Sequence, residues 1–359
     1  MIILDNEYSS NWKEYTLSKD KTIRDAAINL NKTGGQLILI LGKQNNLVGT
    51  VTDGDIRRAL LRGKDLDAPL NQVMNPNPFV LPENVADEDI LKLMTLNGIY
   101  QIPVIDKNNH VRGVYKWDGA ISHQQDALIV IMAGGLGKRL RPYTENCPKP
   151  MLEIAGKPIA QHIIEKAKKE GFSRFLFSIG YLGEMIKSYF GNGEKFGVEI
   201  NYVSEDKPLG TAGALSLLSP RPENPFIVTN GDIISEVNYK SLLNFHEHHK
   251  GSLATMAVKL HEMQNPYGAV EMSGVEITGF CEKPITKVNV NAGVYVISPA
   301  ALDFIKDNQR IDMPYLFEIL REHCGPGTTL GYPIHEPWLD IGNDVDLMFV
   351  RKNMTKSSK

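Results

Sequence analysis

Strand-like and helix-like segments alternate along the chain from residue 127 onward, and this alternation limits the possible folds more than any other feature. ALIVI at 127–131, RFLFSIG at 174–180 and PFIVTNGD at 225–232 contain short apolar runs typical of buried strands. Between the first two, PIAQHIIEKAKKEG at 158–171 places apolar residues along one side of a helix that ends at Gly171. Repeated strand–helix–strand units predict an α/β domain, with a mostly parallel sheet covered by helices on both faces.

The first third of the chain contains a weak internal repeat. One copy runs from about Thr16 to Lys64 and the other from about Phe79 to Ser122, each in the order helix, strand, turn, strand, helix. A repeat of this size predicts two units that bury their apolar faces against each other. We therefore expect one domain over residues 1–122, a linker at HQQDA, and a second domain over residues 127–359.

A glycine-rich segment that contains Arg139 and Lys149 follows the first strand of the second domain. It reads MAGGLGKRLRPYTENCPKPM at 132–151, and its glycines are Gly134, Gly135 and Gly137. Glycine lets the backbone approach a ligand closely, and the backbone N–H groups of such a loop can hold anionic oxygens. Arg139 adds a planar guanidinium and Lys149 a compact ammonium. The spacing is neither a dinucleotide fingerprint nor a P-loop, but the combination predicts a nucleoside triphosphate site.

The same segment resembles the sugar nucleotidyltransferases. It matches the pattern G-G-x-G-x-R-L-x-P-x-T-x-x-x-P-K-P over its full length of 17 positions. The resemblance implies a mostly parallel, Rossmann-like nucleotidyltransferase sheet and the formation of an NDP-sugar and pyrophosphate from an NTP and a sugar 1-phosphate. It also implies that Arg139 holds the β- and γ-phosphates and that Lys149 lies near the transferred α-phosphate.

The resemblance assigns roles to later motifs as well. In LGTAGAL, Gly210 and Gly213 would contact the nucleobase. Asp232 in VTNGDI and Asp340 in WLDIGN would bind Mg²⁺, an ion that prefers oxygen ligands. The implied catalytic residues are Arg139, Lys149, Asp232 and Lys283. The implied contacts to the sugar phosphate are Tyr267, Gly268, Glu282, Lys283 and Asn291.

The N-terminal repeat resembles a pair of CBS domains, small modules that often bind adenine nucleotides and regulate attached enzymes. The segment that carries this resemblance is GTVTDGDIRRAL at 49–60. It implies that Asp55 accepts hydrogen bonds from ribose hydroxyls and that Thr52 donates to a phosphate oxygen. The residues alone equally favour Asp55 as a helix cap. In the second copy the matching positions are Tyr115 and Asp118, and Tyr in place of Thr or Ser argues against a second nucleotide site.

The nucleobase and the sugar follow from the resemblance alone. LGTAGAL is most similar to the segment in guanylyltransferases that act on mannose 1-phosphate, so GTP is the favoured nucleotide, and CBS-fused relatives often serve surface-glycan pathways. Two alternatives stay open: a cytidylyltransferase acting on a non-sugar substrate such as phosphocholine, and a regulator that keeps the fold without catalysis. The EKP and NAG motifs favour a sugar, and the complete set of charged motif residues favours an enzyme.

Composition narrows the class of protein further. The net charge of -3 gives no basic footprint for nucleic acid, and no apolar run approaches the roughly 20 residues of a membrane span. The N-terminus lacks the apolar core of a signal peptide, and three widely separated cysteines indicate a reducing compartment. We therefore expect a cytoplasmic protein without nucleic-acid or membrane partners, and we leave open whether it forms a homo-oligomer.

Overall fold

The computed structural model describes residues 12–33, 36–83, 85, 90, 93–94, 99, 101–116 and 126–354. The chain divides into two compact units, Met1–Ser122 and His123–Lys359, and each is described here by itself. Several predicted features lie wholly or mostly outside the described residues: the linker at 123–127, the helix stop at Gly34-Gly35, the second-copy helix at 85–99 and Asp118.

The described part of the first unit contains two three-stranded sheets, one from each copy of the repeat. The first copy contains β1 (Thr16–Ser18), α1 (Ile23–Thr33), β2 (Leu37–Leu41), β3 (Leu47–Thr52) and α2 (Asp53–Leu61). The second contains β4 (Leu81–Pro82), β5 (Gln101–Ile105) and β6 (Val111–Lys116). In both sheets the first strand pairs parallel with the second, and the second pairs antiparallel with the third. The two copies therefore share one topology.

The strand register changes how the two copies correspond. A glycine occupies the same point in each hairpin, Gly49 in β3 and Gly113 in β6, and each hairpin has a register shift at the next pair. Three residues further on, the first copy has Thr52 and the second has Lys116. The prediction matched Thr52 to Tyr115 through its spacing from an acid, whereas backbone pairing makes Lys116 the counterpart.

Thr52 and Asp55 form a capping box at the start of α2. The Asp55 backbone N–H donates to Thr52 Oγ1 over 3.2 Å, and the Thr52 backbone N–H donates to Asp55 Oδ2 over 2.8 Å. The Thr52 hydroxyl also donates to Asp55 Oδ2, and Arg58 pairs with Asp55 Oδ1. This exchange satisfies backbone donors that the first helical turn leaves open. Asp55 therefore takes part in capping the helix, as the capping alternative predicted, although the N-cap residue itself is Thr52. A nucleotide bound at this point would have to replace these hydrogen bonds.

The described part of the second unit contains thirteen strands. They are β7 (Ile129–Ala133), β8 (Glu153–Ile154), β9 (Lys157–Pro158), β10 (Arg174–Ile179), β11 (Glu199–Ser204), β12 (Phe226–Asn230), β13 (Ile233–Ser235), β14 (Ala254–Gln264), β15 (Ala269–Ser273), β16 (Glu276–Cys281), β17 (Ile285–Ile297), β18 (Thr329–Ile334) and β19 (Trp338–Asp340). Seven of them form the main sheet in the order β11-β10-β7-β12-β17-β14-β18. Only β17 runs antiparallel to its two neighbours, which confirms the mostly parallel α/β sheet.

Helices connect these strands. They are α3 (Ile159–Lys169), α4 (Gly183–Phe190), α5 (Gly210–Gly213), α6 (Tyr239–His248), α7 (Met313–Cys324) and α8 (Asp344–Met354). Helix α3 buries the apolar stripe predicted from its period, and Gly171 follows its last turn with a φ of 96°. Helix α5 is a single turn that continues into a 3-10 helix, so the predicted helix over TAGALSLLS is less regular than expected. No helix within the described residues combines the length and apolar character needed to cross a membrane.

Apolar clusters cover both faces of the main sheet. Along β7, Ile129 and Ile131 belong to the cluster on one face, whereas Val130 between them belongs to the cluster on the other. Along β12, Ile227 and Val228 divide in the same way. Successive side chains of a strand point to opposite faces, so a strand buried on both faces needs apolar residues throughout. This explains why the core strands are continuous apolar runs.

The hairpin formed by β15 and β16 connects the end of β14 to the start of β17. Its strands pair antiparallel as a separate two-stranded sheet, and most of its side chains are exposed. We call residues 264–285 the ribbon. It differs from the main sheet in that helices do not bury it, and it carries most of the residues that were assigned to the sugar.

Candidate functional site

A cavity of about 630 Å³ lies at the carboxyl ends of the parallel strands β7, β11 and β12. Ligands of open α/β sheets bind at this edge. Its lining contains the loop after β7, the acid after β11, the turn after β12 and the end of β19. The polar and glycine residues concerned are Gly134, Gly135, Gly137, Lys138, Arg139, Lys149, Glu205, Gly210, Thr211, Asn230, Gly231, Asp232, Arg310, Asp312, Asp340 and Gly342.

The three glycines of the loop differ in what surrounds the position where a Cβ would lie. A Cβ on Gly134 would lie 2.2 Å from Glu205 Oε1, so a larger residue would require the loop or that carboxylate to move. Gly137 has a φ of 59° and a Cβ there would lie 3.0 Å from Thr144. Around Gly135, by contrast, no described heavy atom lies within 4 Å of the Cβ position. Its side of the loop is open toward the cavity that it lines.

Glu205 is a cavity residue that the sequence analysis did not identify. It follows β11, and its carboxylate accepts hydrogen bonds from Ser178 Oγ and from the backbone N–H of Leu209, each over 2.9 Å. These bonds hold the carboxylate against Gly134. Glu205 is an acid at the end of a predicted strand, which is the same signal that identified Asp232, so the sequence contained enough to find it.

Lys149 and the two predicted metal-binding acids meet at one point in the cavity. The Lys149 ammonium donates a hydrogen bond to Asp232 Oδ2, and it lies 3.9 Å from Asp340 Oδ1. Strand pairing explains the convergence, because β13 and β19 run antiparallel and Asp340 lies directly opposite Ile233. Arg139 lies close to Asp340. Both side chains border Gly342: a Cβ built on Gly342 would lie 3.9 Å from Arg139 Nη1 and 3.8 Å from Asp340 Oδ2.

Three oxygens at this point share one property. Among the described residues, no hydrogen-bond donor reaches Asn230 Oδ1, Asp232 Oδ1 or Asp340 Oδ1, although all three atoms are buried. Burial raises the pKa of Asp340, and the charge of Asp232 raises it further, while Lys149 and Arg139 act in the opposite direction. Buried acceptors without donors are costly, so this cluster has the chemistry of a cation site built from oxygen.

The two glycines predicted to contact the nucleobase have different surroundings. Gly210 lines the cavity with a φ of 78°, and a Cβ there would lie 2.6 Å from Asp312 Oδ1. Gly213 is not part of the lining. A Cβ on Gly213 would lie 2.4 Å from the carbonyl oxygen of Gln309, so this glycine is needed for packing against the loop before α7. Thr211, between them, exchanges hydrogen bonds with Asp312 and the Met313 backbone.

The structure separates most of the predicted sugar-binding residues from the cavity. Tyr267, Gly268, Glu282 and Lys283 lie on the ribbon and do not line the cavity, and Tyr267 is 76% exposed. They do lie near one another, since a Cβ on Gly268 would be 3.1 Å from Glu282 Oε2. Sequence order could not show this, because the ribbon projects from the ends of two long strands.

Asn291 lies on β17, which passes beneath the turn after β12. Its amide Nδ2 donates to Tyr295 Oη over 2.8 Å, and its Oδ1 accepts from the Gly293 backbone N–H over 2.8 Å. Burial raises the pKa of Tyr295 to about 12. Gly293 has a φ of 68°, and a Cβ there would lie 2.7 Å from Asn230 Nδ2. The described bonds of Asn291 are therefore made within β17, and Asn291 does not line the cavity.

Arg310 and Asp312 are further cavity residues that the sequence analysis missed. They belong to the loop before α7, whose Ile311 carbonyl accepts bonds from the backbones of Ala212 and Gly213 over 2.9 Å. No motif of the sequence marks this loop. Its place in the wall depends on contacts between segments about 100 positions apart.

Comparison with known families matches a different family model to each unit. Residues 128–357 match the family model described as "Nucleotidyl transferase". Residues 11–62 and 70–118 each match the model of the CBS domain.

Curated relatives are similar to the second unit. A protein named mannose-1-phosphate guanyltransferase beta-B from Xenopus laevis is 33% identical over 227 residues, which cover 61% of this chain and 62% of that protein. A probable mannose-1-phosphate guanylyltransferase 2 from Oryza sativa subsp. japonica is 37% identical over 188 residues, covering 49% of this chain and 51% of that protein. The chain thus spans less than two thirds of the length of these relatives.

Solved structures share the fold. A putative glucose-1-phosphate thymidylyltransferase from Bacillus anthracis, solved with sucrose, has a TM-score of 0.51 at 22% identity and covers 64% of this chain and 96% of its own. HddC from Yersinia pseudotuberculosis, solved with GMP-PN, has a TM-score of 0.50 at 25% identity and covers 64% of this chain and 99% of its own.

Proposed function

Because this chain belongs to the nucleotidyl transferase family, we propose that its second unit transfers the nucleotidyl group of an NTP, preferably GTP, to a sugar 1-phosphate and releases pyrophosphate. One observation carries the proposal. Lys149 lies between Asp232 and Asp340 in the same cavity that the glycine loop lines, so phosphate-binding and metal-binding groups share one site. The names of the curated relatives support GTP and a sugar phosphate.

The residues present fit a bound Mg²⁺. The two carboxylates and the amide oxygen of Asn230 offer the oxygen ligands that this ion prefers, and each has a buried oxygen without a hydrogen-bond donor in the described structure. Asp232 and Asp340 would hold the ion, with Asn230 beside them. When bound, Mg²⁺ would neutralise charge that develops on the transferring phosphate.

The chain's own residues position the reactants. An oxygen of the sugar 1-phosphate attacks the α-phosphorus in line, its bond forms as the bond to the pyrophosphate oxygen breaks, and no general base is needed because the attacking phosphate is already ionised. Arg139 pairs with the departing pyrophosphate, and Lys149 pairs with the α-phosphate. The backbone from Gly134 to Gly137 holds the triphosphate oxygens. Lys283 does not line the cavity, so its proposed role of aligning the sugar phosphate would require the ribbon to approach the bound nucleotide.

Glu205 supports the choice of guanine. The N1–H and exocyclic N2–H groups of guanine are neighbouring donors, which a carboxylate can accept together. Each Glu205 oxygen accepts one protein hydrogen bond and retains further lone-pair capacity, and the side chain lines the cavity between Gly134 and Gly210. Adenine, cytosine and uracil do not present such a pair of donors on one edge.

Glu205→Gln is expected to lower the preference for GTP over UTP by about 10- to 100-fold, because an amide replaces one acceptor with a donor that faces the guanine donors. The measurement is kcat/KM for each nucleotide with a fixed sugar 1-phosphate. Glu194→Gln is the matched control, since Glu194 is an acid of the same unit that does not line the cavity. An unchanged ratio in Glu205→Gln would exclude this role for Glu205.

A substrate matrix tests the proposed reaction. Pyrophosphate release is measured with Mg²⁺ for GTP, ATP, CTP, UTP and dTTP, each against mannose 1-phosphate, glucose 1-phosphate, N-acetylglucosamine 1-phosphate and phosphocholine. Release with GTP and a sugar 1-phosphate supports the proposal. Release with CTP and phosphocholine alone favours the cytidylyltransferase alternative, and no release with any pair favours a regulator without catalysis.

We further propose that the first unit binds an adenine nucleotide at Thr52 and Asp55 and thereby adjusts the activity of the second. The match to CBS domains supports this, and the nucleotide would replace the hydrogen bonds that Thr52 and Asp55 exchange at the start of α2. We place the reaction in the cytoplasm and the product in surface-glycan synthesis. The three free cysteines fit a reducing compartment.

AMP and ADP are expected to bind the full-length protein, and Asp55→Asn is expected to weaken that binding about tenfold or more, because the amide is a poorer acceptor for ribose hydroxyls. Titration calorimetry measures both affinities. Asp67→Asn, a change at an exposed acid of the same unit, is the control and should leave them unchanged. Absence of binding to the unaltered protein would contradict the proposal.

A further inference from the structure

The Lys149 ammonium, which the proposed function assigns to a phosphate, contacts one carboxylate and lies near a second. Its side chain is 11% exposed, its ammonium donates to Asp232 Oδ2, and Asp340 Oδ1 lies 3.9 Å away. The residue lies in a short 3-10 helix, Lys149–Met151, with prolines on both sides. These prolines limit the backbone, so a change in partner would occur in the flexible side chain rather than in the chain path.

Among the described contacts, the Lys149 ammonium donates to only one of the carboxylate oxygens of this cluster. Asp232 Oδ1 and Asp340 Oδ1 are buried without a hydrogen-bond donor among the described residues, and Asn230 Oδ1 shares that condition. Asp232, Asp340 and Lys149 together carry one net negative charge, which Arg139 beside them offsets. In that state the acids engage the Lys149 ammonium, so it is not available to a phosphate.

We infer that Lys149 is an exchangeable counter-ion: it neutralises Asp232 and Asp340 while no divalent ion is bound, and a divalent ion displaces it. The inference rests on the proposed function, in which those acids hold a metal. Displacement frees the ammonium for the α-phosphate. It also makes the group formed by Asp232, Asp340, Lys149 and Arg139 more positive by two charges, since the ion adds its charge while both cations remain. Loading of the ion therefore prepares the site for the nucleotide in two ways.

Competition between Lys149 and the ion gives the inference a direct test. Calorimetry measures the binding of Mn²⁺ to the full-length protein in the absence of any nucleotide, for the unaltered protein, Lys149→Met and Lys138→Met. Methionine keeps the unbranched length without the charge. Lys149→Met is expected to bind Mn²⁺ about tenfold more tightly or better, because an opposite charge within 4–6 Å lowers the affinity of a carboxylate for a cation by this order.

Lys138→Met is the matched control. Lys138 lines the same cavity and carries the same charge, but among its described contacts there is no ion pair with Asp232 or Asp340. It should change Mn²⁺ affinity by no more than about two- to threefold, as expected for a screened charge. A second readout is thermal stability: in chelator Lys149→Met should unfold at a lower temperature than the unaltered protein, and Mn²⁺ should raise its Tm by more.

The outcomes separate this inference from the proposed function. Equal or weaker Mn²⁺ binding by Lys149→Met overturns the exchange while leaving the metal site intact. An increase of the same size in Lys138→Met also overturns it, because the effect would then be one of general charge. Absence of Mn²⁺ binding in all three proteins overturns the metal assignment in the proposed function, and the exchange with it.

Discussion

Asp232→Asn is expected to lower kcat for NDP-sugar formation about a thousandfold or more while the protein stays folded. Asp232 touches Lys149 and carries one of the buried oxygens that lack a donor in the described structure. Asparagine keeps the shape of the side chain but removes its charge, so the ion and Lys149 both lose their principal partner. Electrostatic groups aimed at a reacting phosphate commonly contribute effects of this size. Pyrophosphate release measures the rate, and circular dichroism with a thermal scan checks the fold.

Asp346→Asn provides the comparison for Asp232→Asn. Asp346 lies near the same site and accepts a bond from the Gly342 backbone over 3.2 Å, but it does not line the cavity. We expect its activity to stay within about tenfold of the unaltered protein, since it acts only through the weaker field at Asp340. Full activity of Asp232→Asn would contradict the metal assignment. An equal loss in both variants would show that any nearby acid has the same effect.

Gly134→Ala is expected to lower kcat/KM about 10- to 100-fold, the second large effect. The added Cβ would lie 2.2 Å from Glu205 Oε1, a distance at which one of the two groups must move. Glu205 is held by Ser178 and by the Leu209 backbone, so moving it breaks two hydrogen bonds and displaces a wall of the cavity. A misplacement of about 1 Å in a positioning group can cost a factor of this order. Steady-state kinetics with GTP and sugar 1-phosphate measure it.

Gly135→Ala is the matched control, one residue away in the same loop. No described heavy atom lies within 4 Å of the Cβ position at Gly135, so the same added methyl group meets no steric conflict. We expect its kcat/KM to fall by less than about threefold, the change in backbone freedom being the main effect. A loss in Gly135→Ala as large as that in Gly134→Ala would show that loop flexibility, rather than the contact with Glu205, decides activity.

Local patterns predicted the parts of the fold that depend on neighbours in sequence. The stripe on α3 and the continuous apolar runs of β7 and β12 are both present, because a helix and a doubly covered strand each impose a period that can be read from adjacent residues. The turn at Asn109 likewise has the positive φ expected of asparagine. The register of the first unit was harder to predict: spacing matched Thr52 to Tyr115, whereas backbone pairing matches it to Lys116.

Some residues of the candidate site could be placed from the sequence, and others are placed only by contacts between distant segments. The glycine loop and Asp232 follow strands whose carboxyl ends meet in any parallel sheet, so their place was predictable. Arg310 and Asp312 were missed because only the packing of their loop against α5 brings them into the wall. The ribbon residues were placed at the sugar from their motifs, and the structure leaves them outside the cavity that the other groups line.

The sequence by itself determined that this protein has a mostly parallel α/β unit with a glycine loop and two cations at its ligand edge, preceded by a repeated module. Only the tertiary structure decided that Lys149 lies between Asp232 and Asp340, and that Glu205 rests against Gly134. The reason is physical: periodicity and turn chemistry act between near neighbours, whereas the ion pair joins residues 83 positions apart through the packing of separate strands. Which charges neutralise one another is set by that packing.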